Sequence, residues 1–399
     1  MNDNAFIFQE LPDPPSSLRV ALVTETYPPE VNGVAMTIAR IVEGLQRRNH
    51  RIQLIRPRQN AAETPTQNVH LEEVLSRGVP IPRYQGLRIG LPARPALLRL
   101  WSLKRPDVVH IATEGPLGWS ALAAAVKLRL PVSSGFHTNF HSYSQHYGIG
   151  FLKKPIAAYL RRFHNRAQAT LVPTEGLRRE LAILGFENLR LVSRGVDTRL
   201  FSPAHRSPQL RRDWRAADGE PVALYVGRIA AEKNLKVVVS AFSSMRTRAP
   251  QARLVMVGDG PERATLAARH PDIVFAGTRT GDDLAAHYAS ADIFLFPSLT
   301  ETFGNVTLEA MASGLAVVAY DYAAAQQYIA HERSGLLVPF DDGEVFIRLA
   351  TALATDPRRA ASLRVQARAS AERIDWDNVF DDFEVVLREV IQRQEANRV

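Results

Sequence analysis

Cysteine is absent from this chain of 399 residues, and several familiar sequence signals are absent as well. Without cysteine there is no disulfide framework, no thiolate metal site and no cysteine nucleophile. Neither a G-x-x-x-x-G-K loop nor a G-x-G-x-x-G fingerprint is present, which argues against P-loop ATPases and dinucleotide-dependent dehydrogenases. No apolar run approaches the roughly 20 residues that a helix needs to span a bilayer, so any membrane contact should be peripheral.

The N-terminal segment also lacks a targeting pattern. Residues 1–17 contain no basic stretch followed by an apolar one, and prolines interrupt them. We therefore expect a flexible arm over residues 1–17, no secretion signal and a cytoplasmic protein.

Strand and helix patterns alternate along the rest of the chain, and the alternation begins afresh after a proline-containing stretch at residues 194–208. Such alternation predicts parallel sheets with helices on both faces. With 46% hydrophobic residues, a chain of this length can form two domain cores. We predict an N-terminal domain over residues 18–196, a C-terminal domain over residues 197–374 and an amphipathic helix over residues 375–399.

The stretch Ala291–Tyr320 has the clearest chemical pattern. It is predicted to form a strand, a loop, a helix and a second strand, with Glu301 in the loop and Glu309 inside the helix. The helix start would present the backbone N–H groups of Phe303, Gly304 and Asn305. N–H groups at the positive end of a helix bind phosphate, and carboxylates accept hydrogen bonds from sugar hydroxyls. The pattern therefore indicates phosphate plus polyol, although Glu301 as a solvated loop residue and Glu309 as a helix-surface charge would fit the spacing equally well.

Two other loops follow predicted strands. Gly33 stands just before a helix, where a phosphate or sugar can approach the backbone, although an isolated Asn-Gly pair is more often only a turn. In the second domain one loop carries Arg228 and Lys233, followed by Asn234 as a predicted helix cap. A planar guanidinium and a point charge together suit a diphosphate, but cations in surface loops are common.

Charge is distributed unevenly along the chain. Residues 1–200 hold 26 Lys and Arg against 15 Asp and Glu, and the net charge of the whole chain is +8. The densest cluster lies within residues 151–168, where an apolar stripe accompanies Lys153, Lys154, Arg161 and Arg162. Such a segment can lie on an anionic membrane surface; the alternative is a solvated helix face whose apolar side belongs to the core. No nucleic-acid-binding motif accompanies the charge, so we expect no nucleic acid partner.

Six motifs follow one another along the chain: ETYPPEVNGVA, FHTNF at residues 136–140, RGVDTRLF, VGRIAAEKNL, VGDGP at residues 257–261 and ETFGNVTLE. In these motifs the sequence resembles the retaining glycosyltransferases of family 4, and the resemblance extends from about Leu18 to the final helix. It implies the α/β fold class known as GT-B architecture, in which two Rossmann-like parallel-sheet domains face each other across a cleft. It also implies that the C-terminal helix crosses back to pack toward the N-terminal domain.

The resemblance implies four catalytic residues. Arg228 and Lys233, from the G-R-x-x-x-x-K loop, are expected to hold the donor diphosphate and to stabilise the charge that develops as it leaves. Glu301, the first glutamate of the E-x7-E signature, is expected beside the hydroxyls of the donor sugar. His137 is expected near the transferred sugar, with a buried structural histidine as the alternative.

The resemblance also implies a set of donor-binding residues. Glu309 is expected on the ribose hydroxyls, Gly33 on the opposite wall of the cleft and Arg279 in the loop beside the base. Backbone amides directed at the phosphates and the sugar are expected from Phe303, Gly304 and Asn305. Together these groups would surround a nucleotide diphosphate sugar.

The implied activity is hexose transfer from a nucleotide diphosphate sugar, by front-face attack with retention at the anomeric carbon. No D-x-D metal motif appears where this fold would use one, so we expect no obligatory metal or other cofactor. Within the family, the sequence most resembles a bacterial branch of α-mannosyltransferases and glycolipid-forming transferases. This resemblance suggests GDP-mannose as the first candidate donor and a lipid, lipid-linked or glycan acceptor. The alternative is a UDP-hexose-dependent diacylglycerol glycolipid synthase. We expect a cytoplasmic protein with peripheral contact at the inner face of the cytoplasmic membrane. Two hypotheses from other classes are a sugar-nucleotide epimerase and a non-catalytic nucleotide-sugar-binding protein.

Overall fold

The computed structural model describes residues 17–30, 32–80, 88–137 and 153–397. The predicted arm, apart from its last residue, lies outside the described residues. The last three residues of the F-H-T-N-F motif and the side chain of Lys153 also lie outside them.

The described residues of the first half form a parallel sheet of seven strands. Its strands and those of a small hairpin are β1 (Arg19–Val23), β2 (Arg51–Pro57), β3 (Leu71–Ser76), β4 (Gly78–Pro80), β5 (Arg88–Gly90), β6 (Val108–Ile111), β7 (Val132–Gly135), β8 (Ala169–Val172) and β9 (Leu189–Leu191). The order in the sheet is β3-β2-β1-β6-β7-β8-β9, and β4 pairs with β5 in antiparallel orientation. The helices in the described residues of this half are α1 (Gly33–Arg47), α2 (Arg94–Leu103), α3 (Pro116–Lys127), α4 (Lys153–His164) and α5 (Glu175–Ile183).

The second half forms a parallel sheet of six strands in the order β12-β11-β10-β13-β14-β15. The strands are β10 (Val222–Val226), β11 (Arg253–Val257), β12 (Val274–Gly277), β13 (Ile293–Phe296), β14 (Ala316–Tyr320) and β15 (Leu336–Val338). The helices are α6 (Pro208–Asp213), α7 (Leu235–Arg248), α8 (Arg263–Arg269), α9 (Gly281–Ser290), α10 (Asn305–Ala312), α11 (Ala323–Tyr328), α12 (Gly343–Thr355), α13 (Pro357–Ala371) and α14 (Trp376–Ala396). Short 3-10 turns cover Pro203–His205 and Ala231–Lys233.

The strand order explains where a ligand site should lie. The central strands β1, β6, β10 and β13 are apolar and almost fully buried, as parallel strands covered on both faces should be. In each sheet the order reverses beside the first strand, between β1 and β6 and between β10 and β13. Ligands of open parallel sheets bind at the carboxyl ends of strands next to such a reversal. The loops after β1, β10 and β13 begin at these points, and they lead to Gly33, Lys233 and Glu301.

The terminal helix α14 packs against the N-terminal half, so the chain crosses back as predicted. Phe383, Leu387 and Val390 are buried in one core cluster with residues of the first sheet and of α1. A Cβ atom at Gly44 of α1 would lie only 2.3 Å from the ring of Phe380, so the two helices are in close contact there. The exact domain boundaries stay predictions.

Candidate active site

Lys233 and Glu301 form an ion pair at the carboxyl ends of two adjacent strands. Lys233 ends the 3-10 turn after β10, and Glu301 lies in the loop after β13. The Lys233 Nζ atom lies 2.5 Å from Glu301 Oε1, which also accepts the hydroxyl of Ser298 at 2.7 Å. The two charged side chains are only 17% and 16% exposed. Glu301 is therefore not the solvated loop residue that the spacing also allowed.

Arg228 lies in the same loop as Lys233. Its guanidinium forms an ion pair with Glu232, whose side chain is 12% exposed. The hydroxyl of Tyr225 donates to the Arg228 carbonyl at 2.9 Å and fixes the course of the loop. Burial raises the pKa of Tyr225 well above its ordinary value, so the hydroxyl keeps the proton that it donates.

The loop ends at Asn234, whose predicted place at the start of a helix is confirmed but whose side chain does not cap the helix. Asn234 stands at the N-cap position of α7, but its side chain accepts no hydrogen bond from the first turn. The residue also ends the preceding 3-10 turn in a left-handed conformation, with φ 55°. That conformation directs its amide to the hydroxyl of Tyr320, at 3.3 Å.

The start of α10 lacks a side-chain cap and faces the other half of the chain. Gly304 precedes the helix with φ 90°, a conformation that favours glycine, and the side chain of Phe303 before it is buried. The Thr307 N–H donates to the Gly304 carbonyl at 3.0 Å, and because no side chain caps the turn, the N–H groups before it remain for an outside acceptor. A Cβ atom at Gly33, the first residue of α1, would lie 3.8 Å from Asn305 Nδ2. Two helix N-termini, one from each half, therefore meet at one place.

Glu309 lies inside α10 with a partly buried side chain. Its Oε2 atom accepts the hydroxyl of Tyr288, in α9, at 2.9 Å. Burial raises the pKa of Glu309 to about 7, while the Tyr288 hydrogen bond acts in the opposite direction. Glu309 is therefore not the exposed helix-surface charge that the spacing also allowed.

His137 lies where the two halves meet, but its ring is turned inward. Its backbone carbonyl accepts the hydroxyl of Thr302 at 3.0 Å, across the cleft. A Cβ atom at Gly135 would lie 2.6 Å from His137 Nε2, so that end of the ring packs against β7. Burial, followed by the charge of Arg194, holds the pKa of His137 well below its usual range and keeps the ring neutral.

Arg194 joins these groups, and its position in the sequence predicted no role for it. One terminal nitrogen donates to Asn305 Oδ1 at 3.0 Å, and the other donates to His137 Nδ1 at 3.2 Å. Its guanidinium lies 5.2 Å from the centre of the Phe303 ring. The only sequence signal was its place in the R-G-V-D-T-R-L-F motif, which gives no hint of these distant partners.

Comparisons with known proteins agree with this geometry. The family described as "Glycosyltransferase Family 4" matches residues 31–200, and "Glycosyl transferases group 1" matches residues 220–356. A protein named "GDP-mannose-dependent alpha-mannosyltransferase" from Mycobacterium tuberculosis strain CDC 1551 is 35% identical over 368 residues, which cover 92% of this chain and 95% of that protein. The chain belongs to glycosyltransferase family 4. The predictions of family and enzyme class are thus confirmed.

This family 4 glycosyltransferase is also similar to a second relative in sequence and to a solved structure in fold. An "Alpha-monoglucosyldiacylglycerol synthase" from Streptococcus pneumoniae strain R6 is 27% identical over 337 residues, covering 80% of this chain and 75% of that protein. The structure of a sucrose-phosphate synthase from Thermosynechococcus elongatus superposes with a TM-score of 0.76 at 19% identity, covering 94% of this chain and 100% of the other. At that identity the likeness concerns the fold alone. With the two facing parallel-sheet halves, it confirms the predicted GT-B fold.

The glycosyltransferase brings most of its predicted site residues together. The contacts above connect Lys233 with Glu301, and Gly33 with the start of α10. Arg279 differs: its guanidinium bonds to the Ala276 carbonyl at 2.9 Å and to Asp283 at 3.0 Å. No contact among the described residues joins Arg279 to the Lys233–Glu301 pair, and its donor-binding role stays a prediction.

The basic helix α4 of the glycosyltransferase exposes its basic side chains and buries part of its apolar stripe. Lys154, Arg161 and Arg162 are exposed, whereas Leu160 and Phe163 are only 2% and 1% exposed. The two buried residues belong to the core, whereas Tyr159 of the same stripe is 44% exposed. Membrane contact of this helix stays a prediction. None of the helices in the described ranges has both the length and the apolar character to cross a membrane.

Proposed function

We propose that this glycosyltransferase moves a hexose from a nucleotide diphosphate sugar to a lipid, lipid-linked or glycan acceptor, with retention at the anomeric carbon. The donor that we propose first is GDP-mannose. The observation that carries the proposal is the Lys233–Glu301 ion pair beside the uncapped start of α10. The name of the Mycobacterium tuberculosis relative supports GDP-mannose as donor.

Lys233 and Arg228 would bind the donor diphosphate. Their ion pairs with Glu301 and Glu232 hold the two cations at the cleft before a donor arrives. The uncapped N-terminus of α10 would add N–H donors on the same side. As the sugar–phosphate bond breaks, negative charge grows on the leaving diphosphate, so these contacts would strengthen in the transition state and raise the rate.

Glu301 would turn from Lys233 to accept hydrogen bonds from the sugar hydroxyls. In the transfer step the acceptor oxygen forms a bond to the anomeric carbon on the face from which the diphosphate departs. The electron pair of the broken bond stays on the leaving phosphate, and the acceptor proton passes to a phosphate oxygen. No side-chain base is needed in this scheme, which agrees with the inward-turned ring of His137.

Glu309 would bind the ribose hydroxyls. A carboxylate accepts hydrogen bonds from two adjacent hydroxyls, and Glu309 is the fifth residue of α10, at the start of its second turn. Its hydrogen bond with Tyr288 holds the carboxylate in a fixed orientation.

The acceptor is the least constrained part of the proposal. The Streptococcus pneumoniae relative, named for a diacylglycerol product, favours a lipid acceptor and supports a UDP-hexose-dependent glycolipid synthase as the second candidate. The exposed basic side chains of Lys154, Arg161 and Arg162 would hold the enzyme on the anionic inner face of the cytoplasmic membrane. No nucleic acid partner is proposed.

The decisive experiment is a calorimetric and thermal-shift titration with GDP, UDP, GDP-mannose and UDP-glucose, in EDTA and then with added Mg²⁺. A ligand that binds only the folded protein raises Tm, so the preferred nucleotide will give the larger shift. Preference for GDP supports the mannosyltransferase, and preference for UDP supports the glycolipid synthase. Binding of neither nucleotide contradicts the proposal, and a requirement for Mg²⁺ contradicts the expectation of no obligatory metal.

Turnover separates the remaining hypotheses. The preferred donor, labelled in its sugar, is incubated with the enzyme and a lipid extract. Label in the lipid fraction is the expected result. Isomerised donor without transfer would indicate a sugar-nucleotide epimerase, and tight binding without any turnover would indicate a non-catalytic nucleotide-sugar-binding protein.

A further inference from the structure

Arg194 is a buried cation at the junction of the two halves. It follows β9 in the segment that leaves the first sheet, and it is 5% exposed. Its two terminal nitrogens donate to the Asn305 amide at 3.0 Å and to the His137 ring at 3.2 Å. Both acceptors are neutral, so neither offsets the positive charge.

No carboxylate among the described residues forms an ion pair with Arg194. Glu301, which interacts favourably with Arg194 at longer range, forms its ion pair with Lys233. Asp197, three residues further along the chain, pairs with Arg40. The Arg194 Nε–H is also buried without a hydrogen-bond acceptor. A buried charge without a counter-charge is costly, and burial lowers the pKa of Arg194 to about 10.

The surroundings of Arg194 favour an anion. A Cβ atom at Gly33 would lie 4.0 Å from an Arg194 terminal nitrogen and 3.8 Å from Asn305 Nδ2. Arg194 therefore stands where the N-termini of α1 and α10 converge, and both termini carry partial positive charge. The ring of Phe303, 5.2 Å away, supports the guanidinium from one side. The guanidinium and the two helix N-termini thus converge at one place. The acidic side chain beside the start of α10, Glu301, forms its ion pair with Lys233 and not with Arg194.

We propose that Arg194 binds the donor diphosphate as a third cation, together with Arg228 and Lys233. The inference rests on the proposed function, because it assigns a further residue to the same donor site. The diphosphate would supply the counter-charge that the described residues lack. The guanidinium would give up its amide and imidazole acceptors for phosphate oxygens, which accept stronger, charge-assisted hydrogen bonds.

A purely structural role makes a different prediction. If Arg194 only held His137 and Asn305 in place, its loss would disturb every ligand of the site to a similar extent. If it binds the diphosphate, its loss should affect ligands with two phosphates more than ligands with one. The ratio of the two affinities therefore separates the roles, because general damage to the fold cancels in the ratio.

The test uses the full chain with Arg194→Gln, Arg194→Lys and the control Arg190→Gln. Arg190 is a partly exposed arginine that pairs with Glu389 on α14, away from the cleft. Calorimetry measures Kd for GDP, GMP, UDP and UMP. For the base that the wild type prefers, we expect Arg194→Gln to weaken diphosphate binding by about 10-fold or more and monophosphate binding by less than about threefold. Arg194→Lys should shift the ratio less, and Arg190→Gln should leave it unchanged.

Each outcome decides between the two roles. An unchanged ratio in both Arg194 variants overturns the assignment while leaving the proposed function intact. If Arg194→Gln does not fold, Arg194→Lys still decides, because it keeps the charge but loses the two-pronged donor geometry. If the wild type binds none of the four nucleotides, the proposed function is contradicted, and the assignment of Arg194, which rests on it, is contradicted as well.

Discussion

The ammonium group of Lys233 contacts the carboxylate of Glu301 at 2.5 Å, although the two residues are 68 positions apart in the chain. They follow strands β10 and β13, which are neighbours because the strand order of the second sheet reverses between them. The pair is therefore a product of the sheet topology and not of local sequence. The proposed function uses the cation for the diphosphate and the carboxylate for the sugar.

Lys233→Ala should lower kcat by roughly 100-fold or more, the range found when one donor to a developing anion is removed. The change should lower Tm only modestly, because Glu301 keeps the Ser298 hydroxyl as a hydrogen-bond donor when Lys233 is lost. Steady-state kinetics and a thermal melt measure the two effects. Lys236→Ala, at an exposed position in α7, is the matched control and should keep wild-type rates. A wild-type kcat for Lys233→Ala would remove Lys233 from the proposed site.

The sequence could predict those site residues that lie in short contiguous motifs, but not those whose contacts are distant in the chain. The loop that holds Lys233 and the strand–loop–helix unit that holds Glu301 and Glu309 are short patterns, and their buried strands and helix start follow from apolar runs and a glycine. Arg194 gave no such signal. Its partners His137 and Asn305 are 57 and 111 positions away, so only the folded chain reveals the contact.

Local patterns failed where neighbouring elements decide the outcome. Asn234 has the right residue type for a helix cap, but an abutting 3-10 turn forces it into a left-handed conformation. The stripe of α4 could face a membrane or the core by periodicity alone, and only packing turns Phe163 inward. Spacing likewise could not decide whether Glu309 was exposed or partly buried beside Tyr288.

Glu309→Gln should weaken donor binding through the ribose. Wild-type enzyme should bind the preferred nucleoside diphosphate about 10-fold more tightly than its 2′-deoxy analogue, since a carboxylate that accepts a hydroxyl contributes about 1.5 kcal/mol or more. The variant should lose most of that preference, because an amide is a weaker acceptor. Calorimetry with the two nucleotides measures the ratio. If the ratio is the same in both proteins, Glu309 does not bind the ribose.

The pH dependence of stability provides a second readout for Glu309. Burial raises its pKa to about 7 from an ordinary value of 4.5, so the folded protein holds this proton more tightly than the unfolded chain. The resulting stabilisation is complete below pH 4.5 and is lost as the pH rises through 7. Glu309→Gln should flatten the fall of Tm across this window. Glu25, whose pKa burial also raises to about 7, remains in both proteins, so the difference isolates Glu309.

The contact between Gly44 and Phe380 should be essential for holding α14 on the N-terminal half. A Cβ atom at Gly44 would lie 2.3 Å from the Phe380 ring, so Gly44→Ala should lower the free energy of unfolding by about 1–3 kcal/mol through overpacking. Phe380→Ala should cost about 3–5 kcal/mol through the cavity it leaves. Because alanine at position 44 can occupy that cavity, the double variant should lose less free energy of unfolding than the sum of the losses in the two single variants. Strict additivity in urea denaturation would contradict this packing.

Replacing Lys154, Arg161 and Arg162 by Gln should weaken binding to vesicles that contain anionic lipid, because each exposed basic residue contributes about 1 kcal/mol at such a surface. Cosedimentation should show a loss of about 100-fold in partition coefficient at low salt, and a smaller loss at high salt, where charges are screened. The charge-matched control is a triple Gln variant at three exposed basic positions of the second half, Lys236, Arg248 and Arg269. Since Leu160 and Phe163 of α4 are buried and binding should depend on charge, neutral vesicles should bind both proteins far more weakly than anionic vesicles do. Equal losses in both triple variants would mean that net charge, and not this helix, directs the enzyme to the membrane.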